Sequence, residues 1–324
     1  MGTPANAFWV VEPGRGEIRP VPLGVLGPDR LRVRMLASGI SLGTETLVFR
    51  GQVPASQHQA MRCPFQDGDF PGPVKYGYSA VGLVEAGPDG WAGRRIFCLH
   101  PHQDRFDLPV AAAVVLPEAV PTRRAVLAAN LETALNGLWD AGAMAGDRIA
   151  IVGAGVVGGL VASLAARLPG TRVTLVDRDP ARADLALALG CDFATPELAP
   201  GDQDLVIHAS GAPEGLALAL GLGGFEATVL DMSWYGDRPV SLPLGEAFHA
   251  RRLTIRASQV GAVAPAQRPR WTHHRRLTLT LDLLADPVYD RFIDGETAFA
   301  DLPRTMARLA EDPAGALCRL VLYP

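Results

Sequence analysis

Short apolar runs separated by glycine and proline fill the first 120 or so residues. The runs 7–11, 31–35, 80–85 and 95–99 alternate or are β-branched, and turn dipeptides such as Gly87-Pro88 and Asp89-Gly90 part them. This pattern predicts a small, irregular antiparallel β domain or barrel. The pattern changes at Pro121. Residues 122–141 are rich in alanine and leucine and predict a helical stretch. Strands and helices then alternate: strand 149–152, helix 156–167, strand 173–176, a helix to Leu189, strand 204–209, helix 214–222, strand 227–232 and strand 253–258. Asp179 suits an N-cap with Pro180 at the first helical position, and Gly190 suits the C-terminal glycine of that helix. Such βαβα order implies a parallel sheet, here an α/β doubly wound domain. Helices 275–285 and 302–311 and a strand 319–323 follow. The resulting division is 1–121, 122–265 and 266–324.

The segment from Arg148 to Asp177 carries the most specific chemistry. An apolar strand meets Gly153, Gly155 and Gly158, and a second apolar strand stops on Asp177. Gly153 permits a tight strand-to-helix turn, Gly155 lets the backbone approach a pyrophosphate, and Gly158 lets the helix pack close to the sheet. The helix start supplies free N–H groups and a positive dipole end. Asp177 stands where a carboxylate can accept from both hydroxyls of a ribose and would repel a 2′-phosphate, which favours NAD. Arg178 leaves room for NADP.

Composition limits the alternatives. The chain has 324 residues, 48% hydrophobic and 20% charged, enough for two cores. A net charge of −4 argues against a polyanion-binding surface, so no nucleic acid partner is expected. The basic run from Arg268 to Arg276 reads as a solvated helix start. The four cysteines, Cys63, Cys98, Cys191 and Cys318, lack CxxC spacing and fit unpaired thiols in a reducing compartment. No basic patch followed by an apolar core opens the chain, so a cytoplasmic protein is expected. Residues 149–168 are long and apolar enough to raise a membrane span, but their glycine spacing fits a buried βα unit, and no membrane partner is expected.

The order of these parts resembles the medium-chain dehydrogenase/reductase superfamily, the zinc alcohol dehydrogenase-like proteins. The resemblance rests on Ser38-Gly-Ile-Ser-Leu-Gly-Thr-Glu45 leading to Gly51, on Gly77-Tyr-Ser-Ala-Val-Gly-Leu-Val-Glu85, on Asn130-Leu-Glu-Thr-Ala-Leu135, on the glycine turn, and on His208-Ala-Ser-Gly211. It implies a GroES-like β-rich catalytic domain, a Rossmann domain, and hydride transfer in the cleft between them. It implies a nicotinamide cofactor held by Gly153, Gly155, Val156, Val157, Gly158, Asp177, Arg178, Ser210, Gly211 and Thr133. Relatives also pair through the edge strand near 253–258, which implies a homodimer.

The departures from the family are chemical. Where zinc members place a cysteine, this chain has Leu42, or Ser41 if the loop is read one residue earlier. The histidine ligand becomes Tyr78, and the third ligand falls near Ala129 or Asn130. Zinc takes thiolate, imidazole or carboxylate ligands, so no zinc is expected. Of the four cysteines of a structural zinc lobe, only Cys98 follows Arg95. Thr44 then matches the family's proton-relay hydroxyl, and the Tyr78 phenol can donate to a developing alkoxide. Both can instead be structural, Tyr78 filling the vacated pocket and Thr44 bonding its own turn. Lys75, the chain's one lysine, and Tyr76 are further pocket candidates, and Glu45 can form an ion pair. In His100-Pro-His102-Gln103 two histidines are expected on one side of an extended segment, with His102 a candidate shuttle. That segment and Lys75-Tyr-Gly-Tyr-Ser79 resemble the bacteriochlorophyllide dehydrogenase branch. The expected activity is zinc-independent, NAD(P)-dependent oxidation or reduction of a small alcohol or carbonyl substrate. An NADPH-dependent quinone or enone reductase and a non-catalytic dinucleotide-binding sensor are the alternatives.

Overall fold

The computed structural model describes residues 5–313 and 315–324. The chain divides into two compact units, one of residues 1–129 with 277–324 and one of residues 130–276. Local bonding explains where the divisions fall. Residues 122–129 are tied into the first unit by Ser79 Oγ donating to the Val126 carbonyl and by Arg124 pairing with Asp290 at 2.7 Å. Arg276 is instead bonded to Glu132 and Asn136 of the second unit.

The first unit is built from two sheets. A four-stranded sheet has the order Arg15–Val21, Ala5–Glu12, Val74–Lys75, Asp67–Gly68. A seven-stranded sheet is centred on the long strand Arg30–Ile40, which pairs antiparallel with Ala80–Ala86, Arg105–Pro109 and Cys318–Leu322. Alternation along Arg30–Ile40 sends Leu31, Val33 and Met35 inward, against Val84, Ile96, Phe106 and Leu108. Each such side chain contributes about 1.5–3 kcal/mol by leaving water. The strand ends at Ile40, and after Ser41 a short helix, Leu42–Phe49, follows. The expected helix 122–141 is two helices, Thr122–Ala125 and Ala128–Ala141, because the chain bends at Val126, whose carbonyl is taken by Ser79.

The second unit is a six-stranded, wholly parallel sheet. Its order is Asp192–Ala194, Arg172–Val176, Arg148–Val152, Gln203–His208, Gly223–Asp231, Thr254–Ala257. Numbered along the chain this is 3-2-1-4-5-6, the doubly wound dinucleotide-binding order. Helices Val156–Ala165, Ala183–Leu189 and Pro213–Leu222 make crossovers. Val152, Val206 and Val229 on three strands pack with Leu216 and Leu220 of the last helix. Asp179 accepts the Ala181 N–H as expected of a cap, although the first turn, Pro180–Arg182, is a 3₁₀ turn. Gly190 ends the helix in the left-handed conformation at φ +79°. Thr254–Ala257 is the sheet's edge. Among the described residues, no helix is long and apolar enough to cross a membrane.

Candidate functional site

In the second unit the glycine turn lies at the switch point of the sheet, after its first strand. Gly153 adopts φ +109°, and a Cβ there would lie 2.7 Å from the Ser210 nitrogen and Cα. A Cβ on Gly158 would overlap the Gly153 carbonyl oxygen. Gly155 differs: it is the exposed N-cap of Val156–Ala165, and a Cβ there would meet nothing within 4 Å. Two of the three glycines thus serve the protein's own packing, while the third faces open space, as a phosphate-approaching position should. Val156 and Val157, half-buried, begin the helix.

Asp177 is half-buried and spans the turn. Its Oδ2 accepts the Ala154 N–H at 2.7 Å and its Oδ1 the Asp179 N–H at 2.9 Å. Each carboxylate oxygen keeps a lone pair for a ribose hydroxyl. Arg178 is exposed beside it. Ser210 and Gly211 follow the fourth strand, and the Gly211 N–H donates to Ser233 Oγ at 3.0 Å. Thr133 sits half-buried on the helix Ala128–Ala141.

In the first unit the helix Leu42–Phe49 gathers three hydroxyls. Ser41 is its N-cap, yet its side chain does not cap the helix. The Ser41 and Thr44 hydroxyls instead stand near the Tyr78 phenol, close enough to favour its ionised form. Burial raises the Tyr78 pKa, the Glu45 carboxylate raises it further, and the two hydroxyls pull it partly back. Tyr78 therefore remains a neutral donor. This donor set does not match zinc, which takes thiolate, imidazole or carboxylate. Among the described residues, no group of three or more His, Cys, Asp or Glu is placed to hold a metal ion.

A buried polar chain backs this cluster. Tyr323 OH lies 2.9 Å from Ser38 Oγ, which lies 2.7 Å from His102 Nδ1, and His102 Nε2 lies 2.8 Å from Glu45 Oε2. Glu45 Oε1 also accepts the Ser41 N–H at 2.9 Å. A carboxylate at Nε2 assigns the proton to that nitrogen, so Nδ1 accepts from Ser38. Glu45 is thus held by hydrogen bonds from His102 and the Ser41 backbone. Ser38 and Tyr323 carry no sequence signal, because one lies mid-strand and the other beyond the last strand.

The two histidines of the 100–102 segment do not share a target as expected. His100 stacks on Phe106 at 3.7 Å between ring centroids, and its Nδ1 bonds the Pro101 carbonyl. The strand Arg95–Cys98 ends before His100, so no regular strand carries the two histidines and the period-two facing is lost. Burial pushes the His100 imidazole down to about 3. An unfolded histidine takes up a proton near pH 6.5, which the folded one refuses. Stability is therefore full above pH 6.5 and falls as the pH drops from 6.5 towards 3. Urea midpoints measured across that window should fall more steeply for the wild type than for His100→Gln; equal slopes would refute this.

Lys75 is buried, with its ammonium 2.6 Å from Asp67 and 2.8 Å from Gln103 Oε1. Tyr76 lies in an aromatic row, 5.6 Å from Phe70 and 6.1 Å from Tyr78. All four cysteines are buried and unpaired.

No protein-family model matches the chain. It is 25% identical to D-guloside 3-dehydrogenase of Escherichia coli K12 over 204 residues, 59% of this chain and 58% of that protein. The match thus spans little more than half the length of that relative. Solved structures align over nearly the whole chain. L-idonate 5-dehydrogenase of E. coli K-12 superposes with a TM-score of 0.80 at 15% identity, covering 99% of each chain. A protein of Sinorhizobium meliloti assigned to the zinc-binding dehydrogenases and bound to NADP gives 0.78 at 22% identity, covering 99% of this chain and 100% of that one. A short chain alcohol dehydrogenase of E. coli CFT073 bound to NADH gives 0.77 at 16%, again over 99% and 100%. Over nearly its whole length the chain therefore has the fold of these dehydrogenase structures.

Proposed function

We propose that the chain is an NAD(P)-dependent oxidoreductase acting on an alcohol or carbonyl group without zinc. The observation that carries this reading is the Tyr78 phenol beside the Ser41 and Thr44 hydroxyls, a cluster where the zinc dehydrogenases it resembles place ligands. The dinucleotide, when bound at the glycine turn, supplies or accepts the hydride. The chain's residues handle the proton. Tyr78, kept protonated by burial and by the Glu45 charge, donates to the substrate oxygen during reduction, and Thr44 accepts or returns the proton beside it. His102 acts through Glu45, fixing the carboxylate that keeps Tyr78 neutral. Lys75, tied to Asp67 and Gln103, holds the segment that carries Tyr76 and Tyr78. Asp177 favours NAD over NADP by charge, and we expect NADH to bind about tenfold more tightly than NADPH. A preference for NADPH would favour the quinone or enone reductase reading.

The test is turnover across a panel of alcohols, aldehydes, ketones and quinones, together with NADH binding by fluorescence. Tyr78→Phe should lower kcat/KM about 100-fold while leaving NADH affinity within twofold, roughly the effect of losing one oxyanion donor. Unchanged kcat/KM in this variant refutes the role of Tyr78. Stoichiometric zinc whose removal abolishes turnover refutes the metal-free part. NADH binding without turnover on any of the panel supports the sensor alternative.

A further inference from the structure

The fourth strand of the parallel sheet ends in a group of side chains whose bonds to one another the proposed hydride transfer does not use. Ser210 Oγ lies 2.6 Å from Nε2 of His208, and Nδ1 of the same ring lies 2.9 Å from Asp231 Oδ1. His208 and Asp231 are register partners on adjacent parallel strands, so the sheet itself sets their spacing. The imidazole is fully buried, the Asp231 side chain is 14% exposed, and Ser210 is exposed.

The hydrogen bonds fix the direction of the relay. A carboxylate at Nδ1 assigns the proton to that nitrogen, which leaves Nε2 as the acceptor for the Ser210 hydroxyl. Ser233 Oγ and Tyr235 OH also flank Nδ1, each at 3.2 Å. Asp231 is held in turn: Oδ1 accepts the Ser233 N–H at 3.0 Å, and Oδ2 accepts from Tyr235 OH at 3.1 Å. The Ala212 N–H donates to Ser210 Oγ at 3.2 Å. Residue 215 must be glycine here, because a Cβ would overlap Ser210 Oγ and lie 2.8 Å from His208 Nε2.

Serine, histidine and aspartate bonded in this order form the arrangement that activates a serine hydroxyl. We propose that Ser210 is an activated nucleophile that accepts acyl groups from small esters, with His208 as its base and Asp231 as the residue that positions His208. Ser210 Oγ attacks the ester carbonyl as its proton passes to His208 Nε2. The carbon–oxygen bond to the alcohol then breaks, and the alcohol leaves with that proton. Water attacks the acyl-Ser210 ester, giving its proton to His208, and the tetrahedral intermediate releases the carboxylic acid as Ser210 recovers its hydrogen. The backbone of Ser210 abuts the Gly153 turn into the ten-residue helix Val156–Ala165, whose positive end favours the oxyanion. This activity is separate from hydride transfer and needs no dinucleotide.

The purified full chain, free of dinucleotide, is treated with p-nitrophenyl acetate and with a fluorophosphonate, which loses fluoride to form a phosphonyl-serine. The expected result is p-nitrophenol release and a phosphonyl adduct mapped to Ser210 by mass spectrometry, both lost in Ser210→Ala. His208→Asn should slow labelling about 100-fold or more. Asp231→Asn should slow it by a similar factor, and Asp231→Glu should recover part of the rate, which a purely structural role would not produce. Should His208→Asn fail to fold, the two Asp231 variants decide. An unlabelled Ser210 in protein that melts normally overturns the proposal, as does a labelling rate that neither His208→Asn nor Asp231→Asn changes.

Discussion

Gly158→Val is expected to abolish dinucleotide binding and to destabilise the second unit by about 3 kcal/mol or more. The Cβ of any residue at 158 would overlap the carbonyl oxygen of Gly153, a backbone atom that no rotamer change can move. The turn cannot yield either. Gly153 N–H is bonded to the Val176 carbonyl at 2.8 Å, and the next residue, Ala154, donates to Asp177 at 2.7 Å. On its other side Gly153 is pressed against the backbone of Ser210. Relieving the clash therefore shifts two strand ends at once. Gly155→Ala is the informative contrast. Its Cβ enters open space, so stability should change by about 1 kcal/mol, the scale of an N-cap substitution. Its added methyl nevertheless occupies the space through which a phosphate approaches, so NADH affinity should fall. Urea unfolding and NADH fluorescence titration separate the two effects. A Gly158→Val protein with wild-type affinity and midpoint would contradict the packing argument.

Arg276→Ala is expected to cost about 3–5 kcal/mol, the scale of breaking a buried ion pair from one side. Arg276 is 1% exposed and bonds Glu132 at 2.9 Å, Asn136, and the Val260 carbonyl at 2.6 Å. It therefore pins the chain near 260 to the helix Ala128–Ala141. Its removal leaves the Glu132 carboxylate buried without its cation. Burial already raises the Glu132 pKa, and Arg276 is the largest influence pulling it down. Without Arg276 the folded pKa rises further, so the folded state holds a proton that the unfolded state releases. The variant should thus lose stability as pH rises above the ordinary carboxylate range. Arg276→Met combined with Glu132→Met removes both charges and should recover most of the loss. Denaturant midpoints of the single and double variants at pH 5 and pH 8 test this. A single variant within 1 kcal/mol of the wild type would refute it.

The parts of the fold that were legible in the sequence are those whose signals are local. The glycine turn, its two strands and Asp177 lie within one βα unit, so each residue's role follows from its neighbours. Gly190 and the Asp179 cap are legible for the same reason. Seven strands were not foreseen, Arg105–Pro109 and three strands of two residues among them, and the other three show why. Arg15–Val21 is an edge strand with mostly half-buried positions, Asp192–Ala194 has three residues, and Ile293–Ala298 spells Ile-Asp-Gly-Glu-Thr-Ala, a polar run that resembles a loop. They become strands because a neighbour offers an edge, which no local pattern encodes.

The site divides along the same line. Tyr78 and Thr44 stand out by position in a motif, but the nearness of Ser41 to the Tyr78 phenol is set by the tertiary fold. His102 is visible as a histidine, whereas its partners Ser38 and Tyr323 come from distant parts of the chain. His208 belonged to a recognisable motif, yet its partner Asp231 is found only through the register of two parallel strands. The shared facing of His100 and His102 failed because the regular strand on which that inference depended ends at Cys98, before either histidine.

The placement of Cys318–Leu322 has a consequence for synthesis. This strand fills the slot between Ile293–Ala298 and Arg30–Ile40, and Tyr323 just beyond it bonds Ser38. On the ribosome, Arg30–Ile40 emerges early and must wait for that partner until all of residues 130–276 have been made. The second unit is an unbroken run and can fold as it emerges, but the first carries an open strand edge throughout. The unit that holds the hydroxyl cluster is thus the last to close, and a nascent chain spends its vulnerable period with residues 130–276 already folded and that unit still unfinished.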